Sequence, residues 1–525
     1  MRSSRWVLIA LVPLALSQRK NSLTETDPKL ALDAAPKAIQ TITAVDLERH
    51  AKKLASEEFQ GRLTGTPGQE KAAKLFADHF RQLKLKPLGA RKRSKAGPFA
   101  QGYPIELDGF GAKTGVYAAT GKRIAKHGAW FVRFRNKSKV EVKGKLVFCG
   151  VGDTAVAAKA SIAVLHFDTE GSRDGRYLMG KLRSLASKAA KFGAKGCVLV
   201  MKEMPSPLLA AFGNSGVSFP GRPAVSNPKA RRGRGGNISA KVPTVLVSGK
   251  DAEGVLSRIG LSPDMAYDAE EDLAVGKKSK SNVRLTAIRK KQKKKALNIC
   301  AYIEGRHKKL KSEAIVFSCH MDHLGLTADG GCFNGADDNA SGSSTVLEIA
   351  EAFAKLKPSE RPQRSVIFLA VSGEELGLWG SAHFVDNPTW PIKKIIADIN
   401  MDMLGRNTDK VPNDTVALTP TYRINYYSTL ARETAWLGKA FGLQMANGDR
   451  FFQRSDHWNF AKKGLPVVFF CDDEHADYHM PTDTAEKLDY AKMEKIARLA
   501  FLIGYRTANA KGKPKKLGRR KDWFK

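Results

Sequence analysis

Cysteine is scarce in this chain. Six residues in 525 are cysteine and no Cys-x-x-Cys pair occurs, which excludes a disulfide scaffold, a Cys-rich zinc finger and a thioredoxin-like redox site. Long apolar runs are missing too. Beyond the first residues nothing approaches the roughly 18 consecutive apolar positions of a membrane-spanning helix, so a soluble mature protein is expected. No internal repeat divides the chain. Acid is in deficit, with 52 Asp+Glu against 88 Lys+Arg and a net charge of +36. No helix-turn-helix or aromatic-interleaved pattern accompanies that charge, so specific nucleic-acid binding is not expected. With 42% hydrophobic and 8% aromatic residues the composition is that of a folded protein, and wholesale disorder or collagen-like character is excluded. The length suits two or three domains.

Residues 1–17 have the layout of a secretory signal peptide. Arg2 and Arg5 lead, an apolar stretch runs from Trp6 to Leu16, and Ala15-Leu16-Ser17 offers small residues before a cut. An uncleaved anchor is the alternative. Export would permit disulfides among the six cysteines without assigning them. The positive charge gathers in runs: 14 basic residues and one acid lie between Lys277 and Lys311, and 8 basic residues with Asp522 lie between Lys511 and Lys525. A third run, Lys229-Ala-Arg-Arg-Gly-Arg, sits among glycines. Such runs form a solvated basic surface able to associate with anionic wall polymer or a membrane surface.

The rest of the chain divides by texture. Residues 18–115 hold a leader and two helices, one over 46–59 with Asp46 as cap, the other with Ala72, Ala73, Phe76, Phe80 and Leu83 on one face. Residues 116–285 read as an inserted β-rich module, with short strand-like runs at 144–150, 197–201 and 242–248, a helical stretch between the first two marked by Leu182, Leu185, Ala189 and Phe192, and a long Gly/Pro/Arg-rich loop over 213–241. Residues 286–507 alternate strand and helix. Strands are expected over 297–303, 314–319, 365–371, 395–400 and 466–471, and helices over 341–355, 381–385 with its flanks, 428–441 and 485–507. That alternation predicts an α/β fold, a three-layer α/β/α sandwich around a mostly parallel mixed sheet. Residues 508–525 form a basic tail.

Acids and histidines cluster at the ends of those strands. His320 and Asp322 follow the first, Asp337 and Asp338 open a helix, Glu374 and Glu375 follow the next, and Asp402 and His479 follow the last two. In an open α/β sheet such loops converge on one crevice. Imidazole mixed with carboxylate suits Zn²⁺, with Mn²⁺ or Co²⁺ as substitutes. Two histidines and three carboxylates exceed one catalytic zinc and suit two ions sharing a carboxylate, which bind a hydroxide and polarise a carbonyl. Adjacent Glu374 and Glu375 can supply one base and one ligand.

His320-x-Asp322, Gly335-Ala-Asp-Asp-Asn-Ala-Ser-Gly342, Gly373-Glu-Glu-Leu-Gly-Leu-Trp-Gly-Ser381, Asn400-Met-Asp402 and Tyr478-His479 resemble the co-catalytic zinc aminopeptidases of peptidase family M28. Ser455-Asp456-His457 and the early Gly61-Arg62-Leu63-Thr64-Gly65-Thr66 stretch resemble further segments of that family. Residues 116–285 resemble the protease-associated (PA) domain found inserted in secreted members. The resemblance implies a zinc-exopeptidase fold acting on peptides, with Asp338 bridging two zinc ions, His320 and Asp402 completing one site, and Glu375 and His479 the other. It implies Glu374 as general base acting on the bridging hydroxide's water, Asp322 as the acceptor that orients the His320 ring, and Tyr478 as donor to the oxyanion. A carboxypeptidase or dipeptidase, a single-zinc glutaminyl cyclase, or a non-catalytic basic binding protein are the alternatives.

Plainer roles stand beside these. Asp337 and Asn339 are expected to shape their turn, and His323, His383 and His475 to lie outside the ligand set. Cys319 and Cys471 are expected to fill the sheet. Trp379 and Phe451-Phe452 either line a pocket or pack in the core, and Arg423, Arg450 and Arg454 either bind a substrate carboxylate or add to the basic surface.

Overall fold

A computed structural model describes residues 27–89, 97–111, 113–126, 128–132, 137–152, 158–171, 175–203, 224–226, 241–267, 274–327, 331–421, 424 and 428–517. The expected signal segment 1–17, most of the 213–241 loop, Arg423 and the end of the basic tail lie outside the described residues.

Helix α1 (Ala44–Leu54) is capped by Thr43 rather than by Asp46. The Thr43 hydroxyl accepts the Asp46 N–H at 3.1 Å and donates to the Asp46 carboxylate at 2.7 Å, so Asp46 is the third helical residue and the partner of the cap. Helix α2 (Pro67–Gln82) starts on a proline, whose missing N–H costs nothing there. It buries Ala72, Ala73, Phe76 and Phe80 along one face. Strand β1 (Ala100–Phe110) then pairs antiparallel with the 21-residue β2 (Val283–Ile303). The rest alternates: β3 (Ala314–His320), α3 (Gly342–Ala354), β4 (Ser365–Val371), α4 (Trp379–Asp386), β5 (Ile395–Met401), β6 (Thr415–Thr419), α5 (Thr429–Gly438), β7 (Gln444–Asn447), β8 (Val467–Cys471) and α6 (Tyr490–Asn509). Helix α6 begins later than expected, because residues 485–487 form a separate 3₁₀ turn before Asp489 caps it.

The main sheet runs β1-β2-β4-β3-β5-β8-β6-β7. Its centre, β4-β3-β5-β8, is parallel, and the flanking pairs β2/β4 and β8/β6 are antiparallel. Alternate residues leave opposite faces of each strand. Phe317 and Phe368 join the core under α1, α2, α3 and α6, while Val316 and Ile367 join Phe384 and Phe460 on the other side. The layers are therefore α/β/α around a mostly parallel mixed sheet, as the alternation predicts. The chain places β4 on one side of β3 and β5 on the other, so the carboxyl end of β3 is a topological switch point, where crevices form.

Residues 129–248 include a second, five-stranded sheet with strand order Ala129–Phe131, Thr244–Ser248, Gly196–Met201, Ile162–His166, Leu146–Phe148. Four of its strands are parallel. Helices Gly175–Lys191 and Gly249–Leu256 supply apolar side chains to the two clusters flanking it. The region is thus α/β in layout rather than simply β-rich. Its strands are buried on both faces, which is why they read as continuous apolar runs.

Strand β2 joins the two units. Its start pairs with Gly115–Ala118 and Lys139–Gly144, and its end lies in the main sheet, so position 285/286 falls inside one continuous strand. The basic run Arg289–Lys295 is the middle of this strand. There Arg289 pairs with Asp108 and Lys291 with Glu106, both across the β1/β2 ribbon. The six cysteines are buried and unpaired.

Candidate active site

Strand ends and one helix start deliver the candidate residues to the switch point. His320 is the last residue of β3, Glu374 and Glu375 follow β4, Asp402 follows β5, and His479 lies in the loop after β8. Asp338 sits in the turn Ala336–Ser341 ahead of α3. All are buried except Glu374 and His479, which are partly exposed.

The two oxygens of Asp338 face different neighbours. Oδ1 lies 3.3 Å from His320 Nε2, which is itself 3.1 Å from Asp402 Oδ1. Oδ2 lies 3.0 Å from His479 Nε2, which is 3.1 Å from Glu375 Oε2. Two sets of donor atoms thus meet at one carboxylate. Ligands about 2.1 Å from a tetrahedral zinc stand roughly 3.4 Å apart, close to these separations. Buried carboxylates this close also call for cations between them. The donor set therefore fits a zinc pair, with Asp338 shared.

His323 was expected to lie outside the ligand set, but it is fully buried among the donors, with Nδ1 2.7 Å from Glu375 Oε1 and 3.8 Å from Asp338 Oδ2. His323, Asp338 and Glu375 form a ligand-type cluster, as do His320, Asp338 and Asp402. The signal was the close spacing His320-x-Asp322-His323, which presents a second imidazole three residues on.

Surrounding groups hold the donors in place. The Asp322 carboxylate was expected to face the His320 ring, but the nearer atom is the Asp322 backbone carbonyl, 3.2 Å from His320 Nδ1 against 3.7 Å for the carboxylate. The carboxylate instead accepts from the Thr64 hydroxyl at 2.8 Å and the Glu374 N–H at 3.3 Å. Asp322 so orients His320 and the Glu374 loop together. Asp483 accepts the Asp338 N–H at 3.1 Å and the Asp337 N–H at 3.0 Å. Asp337 accepts the Gly405 N–H at 2.7 Å and faces His475 at 3.2 Å, while Asn339 bridges Met401 and Gly342. These four groups shape the turn.

Arg62 and Asp483 had no sequence signal for these roles. Arg62 is 1% exposed and donates to the carbonyls of Leu54, Asn334, Gly335 and Met321. It buckles the N-terminal segment to the loops that carry His320 and Asp338. Gly61 beside it has φ +59°, and a Cβ there would lie 2.2 Å from the Gly325 carbonyl oxygen, so only glycine fits.

Charge compensation sets the protonation states. Burial and neighbouring Asp402 and Glu375 push the Glu374 carboxyl well above its ordinary range, offset in part by His320. Asp338 is held well below that range by hydrogen bonds from His320 and His479, against the opposing effect of burial. His479 is drawn up to about 10 by Glu375 and Asp338, overcoming burial.

Glu374, Asp338, Asp402 and Tyr478 line one cleft, whose apolar wall includes Met403, Phe451 and Phe469. The Tyr478 ring stacks on His479 at 3.8 Å. Trp379 and Phe452 pack in apolar clusters and Phe451 faces the cleft. Arg454 lies 2.6 Å from Glu474, and Arg450 pairs with Asp473. Ser455 and His457 pack behind the cleft, Ser455 accepting from Asn400 at 2.8 Å and His457 stacking on Phe469 at 4.4 Å. His383 stacks on Tyr103 at 5.3 Å, away from the donors.

A mostly parallel mixed sheet with helices on both faces and a histidine–carboxylate cluster at its switch point defines an α/β fold of zinc-exopeptidase type. Residues 298–503 match the model of peptidase family M28, and the chain carries a domain of that family there. It is 26% identical over 267 residues to Aminopeptidase YwaD of Bacillus subtilis (strain 168), across 49% of this chain and 54% of that protein. It is 30% identical over 214 residues to a probable leucine aminopeptidase of Arthroderma benhamiae, across 38% and 56% of the two chains. The chain thus spans about half the length of the curated relatives it matches. Among solved structures, BSAP, a zinc aminopeptidase from Bacillus subtilis, superposes with a TM-score of 0.54 at 20% identity, over 90% of this chain and 97% of that one.

Proposed function

We propose that the protein is a zinc-dependent aminopeptidase with two metal positions that share Asp338. The observation that carries this reading is the division of the Asp338 oxygens between the His320/Asp402 set and the His479/Glu375 set. His320, Asp402 and Asp338 would hold one ion, and His479, Glu375 and Asp338 the other, with His323 behind Glu375. When bound, such a pair supplies Lewis acidity and lowers the pKa of water.

The chain's own groups do the rest. Glu374 takes a proton from the attacking water and returns it to the leaving amine, a role suited to a carboxyl raised by burial. Tyr478 donates to the oxyanion that forms on the scissile carbonyl. Arg454, which lines the cleft, and Arg450, which lies over the Phe451 ring, are the arginines suited to a substrate carboxylate, and both are ion-paired, which favours attack from the free N-terminus. The named relatives, a bacterial aminopeptidase and a probable leucine aminopeptidase, support the same direction of attack.

Residues 116–285 act as a PA-like insertion bordering the cleft. Leu324 and Phe333, from the loop that follows His323, pack into that unit's apolar cluster, which supports the assignment. Export, and contact with an anionic wall or membrane surface, rest on the residue 1–17 layout and the charge of +36. Among the described residues no helix is long and apolar enough to cross a membrane.

Glu374→Gln tests the mechanism. Peptide hydrolysis should fall by about 10²–10⁴-fold with zinc content unchanged. A variant that turns over normally would overturn the assignment of the base.

A further inference from the structure

We propose that His50, His79 and Glu351, with Glu348 beside them, form a separate zinc-type metal site that staples α1, α2 and α3 outside the peptidase cleft. One ligand-type atom from each of His50, His79 and Glu351 falls within 4.8 Å of the others. Three helices supply them. His50 comes from α1 and His79 from α2. Glu348 and Glu351 are one helical turn apart on α3 and share a face. The imidazole rings stand perpendicular with centroids 5.1 Å apart, and His50 Nε2 is 3.3 Å from Glu348 Oε1.

Three polar atoms here are buried short of the hydrogen bonds that burial demands, although Glu348 Oε1 faces His50. His79 Nε2 and both Glu348 carboxyl oxygens are buried without a hydrogen bond, and the Glu348 side chain is 1% exposed. Groups of this kind are seldom left unpaired unless something else satisfies them. His79 is hydrogen-bonded to the Leu347 backbone, the outer contact that commonly fixes a ligating imidazole. A neutral imidazole keeps one ring nitrogen's lone pair for a cation. Two imidazoles with one or two carboxylates is a donor set that zinc accepts in tetrahedral geometry.

Access and competition both permit binding. A surface groove of about 980 Å³ reaches His50 and His79. Arg49 Nη2 is 3.2 Å from His50 Nε2, but its side chain is 58% exposed and also bonds Asp46, so it can swing clear. Lys355 pairs with Glu351 at 2.7 Å through an exposed i,i+4 contact of the weak kind. A metal here would brace α3, the helix that begins just after the Asp338 turn, against the two N-terminal helices.

The test uses the full chain, loaded with zinc, dialysed, and assayed for metal by mass spectrometry. His79→Gln and Glu351→Gln should each lose one zinc equivalent per chain relative to the parent, with peptide hydrolysis within about two-fold and the zinc-dependent rise in melting temperature reduced. Glu351 is partly exposed, so Glu351→Gln carries the test should His79→Gln fail to fold. In a chain carrying Asp338→Ala and Glu375→Ala, one equivalent should persist and vanish on adding Glu351→Gln. A folded Glu351→Gln variant with the parent's zinc content, or no zinc retained after the cleft ligands are removed, would overturn the proposal. Loss of activity in the cleft variants bears on the peptidase reading alone.

Discussion

Replacing Arg62 by leucine should unfold more than a local contact. The guanidinium is buried and donates at 2.6 Å to Leu54, 2.8 Å to Asn334 and Gly335, and 3.0 Å to Met321, all backbone carbonyls. No carboxylate hydrogen-bonds it among the described residues, and burial lowers its pKa. Leucine removes the donors while leaving the carbonyls buried, at about 1–3 kcal/mol for each acceptor left unsatisfied. The variant is also relieved of burying a charge, so the net loss should fall below the sum over the carbonyls, at about 3–5 kcal/mol, the upper end for a substitution that breaks a buried hydrogen-bond network. That is a large share of a typical stability of about 5–15 kcal/mol. Because Met321 and Gly335 flank the His320 and Asp338 loops, zinc should also leave more readily. Urea denaturation with zinc release measured on the same samples checks both effects. A stability within about 1 kcal/mol of the parent, with unchanged zinc retention, would refute the buckle.

Further predictions concern charge and catalysis. Glu348 is raised from 4.5 to about 8 by burial, with Glu351 and Asp46 adding to the shift and Arg49 and Lys355 opposing it. Its unfolded form ionises first, so the folded state loses stability as pH climbs from 4.5 toward 8, by up to about 1.4 kcal/mol per pH unit. His50 and His79, lowered from 6.5 to about 4, act oppositely and only below about 6.5, which leaves pH 6.5–8 to Glu348. Melting of metal-stripped Glu348→Gln should therefore gain on the parent between pH 6.5 and 8; parallel curves would contradict this. Tyr478→Phe should lower kcat by about 10²-fold, near the 2.7–4 kcal/mol typical of an oxyanion donor, with KM little changed. An unaltered kcat would remove Tyr478 from that role.

The central strands were legible because buried apolar runs of 5–7 residues alternate with helical periodicity, and the donors sit at their ends. Strand β2 was not. Its Lys-rich middle lacks apolar alternation and pairs only because β1, with Glu106 and Asp108, lies opposite. In the second sheet the strand runs and the helix carrying Leu182, Leu185 and Ala189 were legible, but not the parallel order, since buried parallel strands give no order of pairing. His320, Asp338, Glu375, Asp402 and His479 stood out by type and position, whereas the burial of His323 depends on how its loop folds back. Arg62 was beyond reach, since Met321, Asn334 and Gly335 lie 259–273 residues away along the chain.

The central claim, a peptidase that works from the free N-terminus, is tested by incubating zinc-loaded protein with a peptide pool of free and acetylated N-termini and following it by mass spectrometry. Stepwise loss of residues from the free N-termini alone is predicted. Trimming of the acetylated peptides, or an untouched pool, would contradict it.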